Sequence, residues 1–434
     1  MIIMCRVPRT NAHPCTYNGR SLMRISKETR DAAVDYSLNS IKYICEEIGP
    51  RESGMPNERK AQEWLKNELL SNGWADEAEI EDFRVSRHGL VGFTKIVSVM
   101  LVLAAALQFA AYFAGGTAQI VCHAVTIFLC ALALLVTVAE FLMYKPFIDP
   151  LLPKTMSSNV YAKYHSSGET KRRIIFSGHC DSAYEWTLMK IKPAFMIAVI
   201  ALCVIGVLAS VALVIANLVR GVTPVWSLVL TSVFIPFYVL LWFFCTFKVV
   251  VPGANDNLTG VLASVAVLKC LKESGVRFEN TEVAVLLTGS EEAGLRGAFA
   301  WARKHKREIM NDGTETVFVG LETLRDWDHL NIYNRDLTGT VAHDAGAVKL
   351  LDKASAACGR PLKHFSVFFG ASDAAAVTKE GLRATCLAGM DPTPADYYHN
   401  VKDTADNMDR KTFALGLDIA LEATEIFDRE GAPE

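Results

Sequence analysis

Four stretches of this chain, 96–115, 116–139, 193–219 and 221–247, contain no Asp, Glu, Lys or Arg. Each is long enough to cross a hydrocarbon layer of about 30 Å, which takes about 20 helical residues. Gly115-Gly116-Thr117 separates the first pair, and a short turn around Arg220-Gly221 separates the second. The pattern predicts two transmembrane helical hairpins, over 95–144 and 193–247, each leaving and re-entering on one side. The alternative, two helical hairpins buried in a soluble core, would have to accommodate all four runs at once. The 434 residues are 51% hydrophobic and 21% charged, and the apolar excess is concentrated in these runs. The remaining roughly 330 residues have ordinary soluble composition.

That remainder is expected to be one α/β domain interrupted twice, made of 31–94, 145–192 and 248–434, behind a poorly structured N-terminus over 1–30. Residues 1–24 lack a continuous apolar core, so no cleavable signal peptide is expected. Arg84, Arg87, Lys95, Lys145, Lys154, Lys190, Lys192 and Lys248 flank the hairpins on the domain side, against Arg220 alone at the turns. The positive-inside rule therefore predicts an integral membrane protein with its catalytic domain in the cytoplasm. Eleven cysteines without a CxxC pair agree with a reducing compartment. A net charge of −3 excludes a generally basic surface, so no nucleic-acid partner is expected.

Helical periodicity is visible over 33–49 and 57–72, joined by a turn-rich Gly49-Pro50-Arg51-Glu52-Ser53-Gly54. Strands are expected around 159–162, 173–176, 283–287, 317–321 and 384–387. Helices are expected from 253 to about 272, over 293–306 and 342–357, from Ser372, and over 409–429. This alternation predicts a mostly parallel sheet covered on both faces.

The chemistry lies where the strands stop. His179 and Asp181 end one strand, Glu291 and Glu292 another, and Glu322 a third, while Asp256 sits in a turn before a helix and His399 follows a late strand. In an open parallel sheet the strand C-termini share one edge, where ligands bind. So many carboxylates on one edge are costly unless a cation compensates them. Two Zn2+ ions do so, because zinc takes imidazole and carboxylate ligands and a close pair needs a bridging carboxylate. Asp256, held by a tight turn, is the expected bridge. His179 and Glu322 would complete one site, and Glu292 and His399 the other. Glu291, free of metal, would be the general base, and Asp181 would fix the His179 tautomer. Each piece alone has an ordinary structural explanation; their joint placement at strand ends does not.

These positions fall within Gly178-His179-Cys180-Asp181-Ser182, Gly253-Ala254-Asn255-Asp256-Asn257-Leu258-Thr259-Gly260, Gly289-Ser290-Glu291-Glu292-Ala293-Gly294-Leu295-Arg296-Gly297, Ser372-Asp373, and Tyr398-His399-Asn400 with Asp403-Thr404. In these motifs, and in the opening Ile48-Gly49-Pro50-Arg51, the chain resembles the co-catalytic zinc metallopeptidase family that includes bacterial leucyl aminopeptidases, aminopeptidase Y and glutamate carboxypeptidase. The resemblance spans about 37–430 outside the apolar runs. It implies a three-layer α/β/α, phosphorylase/hydrolase-like fold, two zincs, and removal of N-terminal residues from peptides. The family's residue roles match those given above. Glu322 stands where the family usually has Asp, and Ala374 follows Ser372-Asp373 where His is common.

Three other functions compete. A non-catalytic receptor or scaffold relative would lack ligands, and none is missing. A transporter would carry ionisable groups near the bilayer centre, whereas His123 and Glu140 sit near the ends of apolar runs. A metallo-carboxypeptidase or dipeptidase would want a basic cluster, for which only Arg296 and Arg383 are candidates; a glutaminyl-cyclase-like enzyme typically uses one zinc. Peptide substrates and the lipid bilayer are therefore the expected partners. The second hairpin joins the His179 strand to the Asp256 turn, so the active-site edge is expected close to the membrane.

Overall fold

The computed structural model describes residues 16–17, 20–21 and 24–433 except 368, 369 and 394. Most of the N-terminus expected to be poorly structured lies outside the described residues. Its last part is helical: α1 (Lys27–Tyr43) starts with Ser26 Oγ accepting a hydrogen bond from Thr29 N. α2 (Pro56–Ser71) and β1 (Glu77–Val85) lead into the first apolar hairpin, α3 (Gly89–Phe113) and α4 (Gly116–Thr137). β2 (Thr155–Tyr164), β3 (Arg172–His179) and β4 (Tyr184–Trp186) follow, then the second hairpin, α5 (Pro193–Arg220) and α6 (Val225–Trp242), and β5 (Cys245–Val250). Beyond it come α7 (Thr259–Glu273), β6 (Thr281–Thr288), α8 (Arg296–Asn311), β7 (Glu315–Glu322), β8 (Leu330–Asp336) and β9 (Val341–Ala342). The chain closes with α9 (Ala345–Ala357), β10 (His364–Ser366), α10 (Asp373–Lys379), β11 (Ala384–Gly389) and α11 (Arg410–Glu430).

Nine strands form one mixed sheet in the order β9-β8-β11-β7-β3-β6-β2-β1, with β10 pairing in parallel beside β8. Its centre, β11-β7-β3-β6, is wholly parallel, and antiparallel strands border it on both sides. Every residue of β6 is buried, as a strand covered on both faces requires. Its period of two splits it between two cores. Val283, Val285 and Leu287 pack into the cluster containing α1, α7 and α11, while Ala284 and Leu286 join Trp301, Ala374 and Val377 of α8 and α10. The fold is the expected α/β/α sandwich.

Four helices, Gly89–Phe113, Gly116–Leu142, Pro193–Arg220 and Val225–Trp242, are long and apolar enough to cross a membrane. They differ from the uncharged runs at both domain-facing ends. α3 begins at Gly89 and takes in Lys95, whose ammonium sits 4.9 Å from the Trp242 ring centroid. The last helix stops at Trp242, and the rest of its run enters β5, which pairs antiparallel with β4 beneath the hairpin.

Candidate metal centre

β7, β3 and β6 are adjacent, and their C-terminal ends bring Glu322, His179 and the Glu291-Glu292 loop to one sheet edge. Asp256 arrives from the turn before α7, and His399 from the loop after β11. His179 Nε2 lies 3.2 Å from Asp256 Oδ1 and 3.5 Å from Glu322 Oε1. His399 Nε2 lies 3.3 Å from Asp256 Oδ2 and 3.3 Å from Glu292 Oε1. His179, Asp256 and Glu322 form one triad of donor atoms within 4.8 Å of one another, and Asp256, Glu292 and His399 form a second. Asp256 belongs to both, with one oxygen toward each imidazole. Glu291 Oε2 stands 3.9 Å from His179 Nε2, and Asp181 Oδ1 stands 3.4 Å from the opposite nitrogen, Nδ1. All seven residues singled out in the sequence therefore meet at one place.

Residues without a role in the sequence reading hold them there. Gly178 and Gly260 let β3, α7 and β7 touch: a Cβ at Gly178 would strike Gly260, and one at Gly260 would strike Leu321 O. Buried Arg51 donates from Nε to Cys180 O at 2.7 Å, and from its two terminal nitrogens to Pro252 O at 2.8 Å and Gly253 O at 2.9 Å. It thereby fastens the His179 strand end to the Asp256 turn. Asp403 accepts from Asn255 N at 2.8 Å and Asp256 N at 3.0 Å. Asn257 donates to Leu321 O at 2.9 Å and to the Glu322 carboxylate, so the longer Glu arm is tied down. Asp181 also accepts from Glu291 N at 3.0 Å and Glu292 N at 3.1 Å, with Ser53 Oγ donating at 2.6 Å. Glu58 accepts from Ser290 N at 2.8 Å. Arg51 and Asp403 lie inside quoted motifs. Glu58 left no trace, because on α2 it reads like the partly exposed Glu63 one turn later.

The electrostatics favour a cation. Burial, then the Glu292, Asp373 and Glu322 carboxylates, hold Glu291 well above the usual carboxylate range against the pull of His179. Burial pushes Glu322 up to about 8, against its contact with His179. Burial opposes protonation of His399, yet the Glu292 and Asp256 carboxylates outweigh it and raise the imidazole to about 9. Glu292 Oε1 is buried, with His399 Nε2 at 3.3 Å. Four carboxylates facing two imidazoles are a donor set that fits divalent metal.

Residues 239–424 match peptidase family M28. No curated protein sequence matches the chain. Solved structures share the fold at low identity. The aminopeptidase from Aneurinibacillus sp. strain AM-1 is 15% identical, with 92% of this chain and 96% of that one covered at a TM-score of 0.53. The zinc aminopeptidase of Bacillus subtilis is 13% identical, with 90% and 94% covered at 0.53. The glutaminyl cyclase of an Acidobacteriales bacterium is 13% identical, with 99% and 100% covered at 0.51. The M28 match takes in Asp256, Glu291, Glu292, Glu322 and His399 but begins after His179. Residues 239–424 thus combine a peptidase-family match with most of a donor set that fits divalent metal.

The apolar hairpins are built into the α/β domain beside the candidate metal centre. Leu90 N of α3 donates to Ala293 O, directly after Glu292, at 3.2 Å. Gly89 has no room for a Cβ against the same carbonyl. At the root of the second hairpin, Trp186 N donates to His399 O at 3.0 Å, and its indole meets the His399 ring edge-on at 4.5 Å. Arg296 is paired with Asp149 at 3.3 Å, and Arg383 with Glu315 at 2.9 Å and Asp344 at 3.2 Å. Neither arginine lines the cavity of about 400 Å³ that opens beside the carboxylates.

Proposed function

We propose that the chain is a membrane-anchored aminopeptidase that uses two zinc ions to remove N-terminal residues from peptides. The lining of the cavity carries this reading. Asp256, Glu291, Glu292, Glu322 and Asp391 line it, and among the described residues no Lys or Arg does. With two zincs offsetting the four carboxylates of the centre, Asp391 remains as an acidic partner for a substrate ammonium, and no cationic side chain is there to hold a substrate carboxylate, which argues against carboxypeptidase action. The wall beyond the carboxylates includes Met189, Met196, Phe365 and Val367, which suit an apolar side chain better than the carboxamide a cyclase must hold.

His179, Glu322 and Asp256 would hold one zinc, and Glu292, His399 and Asp256 the other. The chemistry supplied there would be Lewis-acid polarisation of the scissile carbonyl and a more acidic attacking water. Glu291 faces the same space, takes the proton of that water and returns it to the leaving amine. Asp181 keeps the His179 ring in place through Nδ1 and fixes both glutamates through their backbone amides.

Purified full-length protein tested on aminoacyl-coumarin amides should show chelator-sensitive turnover and two zincs per chain by elemental analysis. Glu291→Gln should lower kcat by about 10²–10⁴ while retaining metal. Undiminished activity in that variant, or one metal per active chain, would overturn the mechanism.

A further inference from the structure

One wall of the cavity beside the carboxylates belongs to the second apolar hairpin. Met196, Ile197, Ile200 and Ala201, from the first turns of α5, line it together with Phe141 from the end of the first hairpin. Ile197 and Ala201 line the cavity and are exposed there, Ile197 at 56%. The cavity is therefore open along α5. A second, narrower cleft of about 70 Å³ lies among α3, α4, α5 and α6, walled by Val97, Ala133, Cys203 and Val207. No charged side chain lines this cleft among the described residues, and it shares Phe141 and Ile200 with the larger cavity. Two apolar spaces, one between the helices and one beside the carboxylates, thus meet at Phe141 and Ile200 as a common wall.

We propose that this surface receives the side chain of a membrane-dissolved substrate. Peptides whose first residue carries a long apolar side chain enter from the bilayer beside α5, with their free amine toward the metal centre and Asp391. The proposal rests on the aminopeptidase and membrane readings above. The two ends of such a substrate match the two ends of the cavity: the polar end meets the metal centre, and a hydrocarbon chain meets a wall containing the adaptable Met189 and Met196. A buried methylene contributes about 0.8 kcal/mol, equivalent to roughly fourfold in kcat/KM for each one added. The adjoining cleft lets that gain continue to chains longer than leucine.

The test uses full-length, zinc-loaded protein in phosphatidylcholine nanodiscs with coumarin amides of alanine, norleucine and 2-aminodecanoic acid. The expected kcat/KM rises by about fourfold per methylene up to norleucine and rises further for 2-aminodecanoyl. Ala201→Trp, at the opening, should lower the 2-aminodecanoyl-to-alanyl ratio at least about tenfold. Independently of turnover, an uncleavable 2-aminodecanol with a diazirine near its chain end should crosslink to Ile197, Ile200 or Val204. Hydrolysis without chain-length preference, an unchanged ratio in the variant, or crosslinks confined to Phe365 and Val367 would each overturn the proposal and leave the aminopeptidase reading standing. No hydrolysis of any aminoacyl amide would overturn both.

Discussion

Arg51 is a cation with no exposed surface, and its guanidinium faces three backbone carbonyls that come from both sides of the second hairpin. Removing a buried partner leaves those carbonyls unpaired, at about 1–3 kcal/mol each. Arg51→Met, similar in volume, should therefore lower stability by at least about 3 kcal/mol and weaken metal binding, checked by thermal melting with and without zinc. Protonation gives a second expectation at this scale. In the zinc-free chain Glu58 and Glu322 keep their protons up to about 8 and His399 up to about 9, against ordinary values of 4.5, 4.5 and 6.5. Between those limits the folded state binds more protons than the unfolded state. The stability they contribute is complete below the unfolded values and is lost as pH rises through the folded ones. The melting temperature of chelated protein should thus fall as pH is raised from about 5 to 9, and zinc, which needs deprotonated ligands, should oppose that fall. The residues facing the metals were legible in the sequence because strand ends must share an edge. Glu58 and Ser53 were not, since only the tertiary fold brings α2 and its preceding turn to the Ser290 and Asp181 loops.

At the scale of elements, the hairpins end in contacts to the catalytic loops. Trp186 is the clearest case, with β4 on one side and His399 on the other. Trp186→Ala keeps the backbone hydrogen bond but removes the ring that fixes the imidazole, and should weaken zinc affinity about 10–100-fold. Competition with a fluorescent zinc chelator would measure this; an unchanged affinity would make Trp186 a packing residue alone. The long parallel strands were readable because a strand buried on both faces is a continuous apolar run, as in Val283–Leu287. β1, with exposed Glu77 and Glu79, and the short β4 and β5 lacked that signal. The uncharged run through 247 also hid the helix end at Trp242, because β-pairing and a buried helix tail are equally apolar in sequence.

At the scale of the whole molecule, one sheet and one helical bundle share the metal centre as their junction. If the bundle crosses a bilayer with the domain in the cytoplasm, a cysteine placed at Gly221 should react with a membrane-impermeant maleimide added outside intact cells, and one at Ser167 should not. The opposite pattern would reverse the orientation. His179 leaves the ribosome before the second hairpin, Asp256 after it, and His399 only near the end of synthesis. On the membrane reading, neither triad is complete until both hairpins have been delivered to the insertion machinery. On that reading the nascent chain would be silent, and its activity would begin already confined to the membrane.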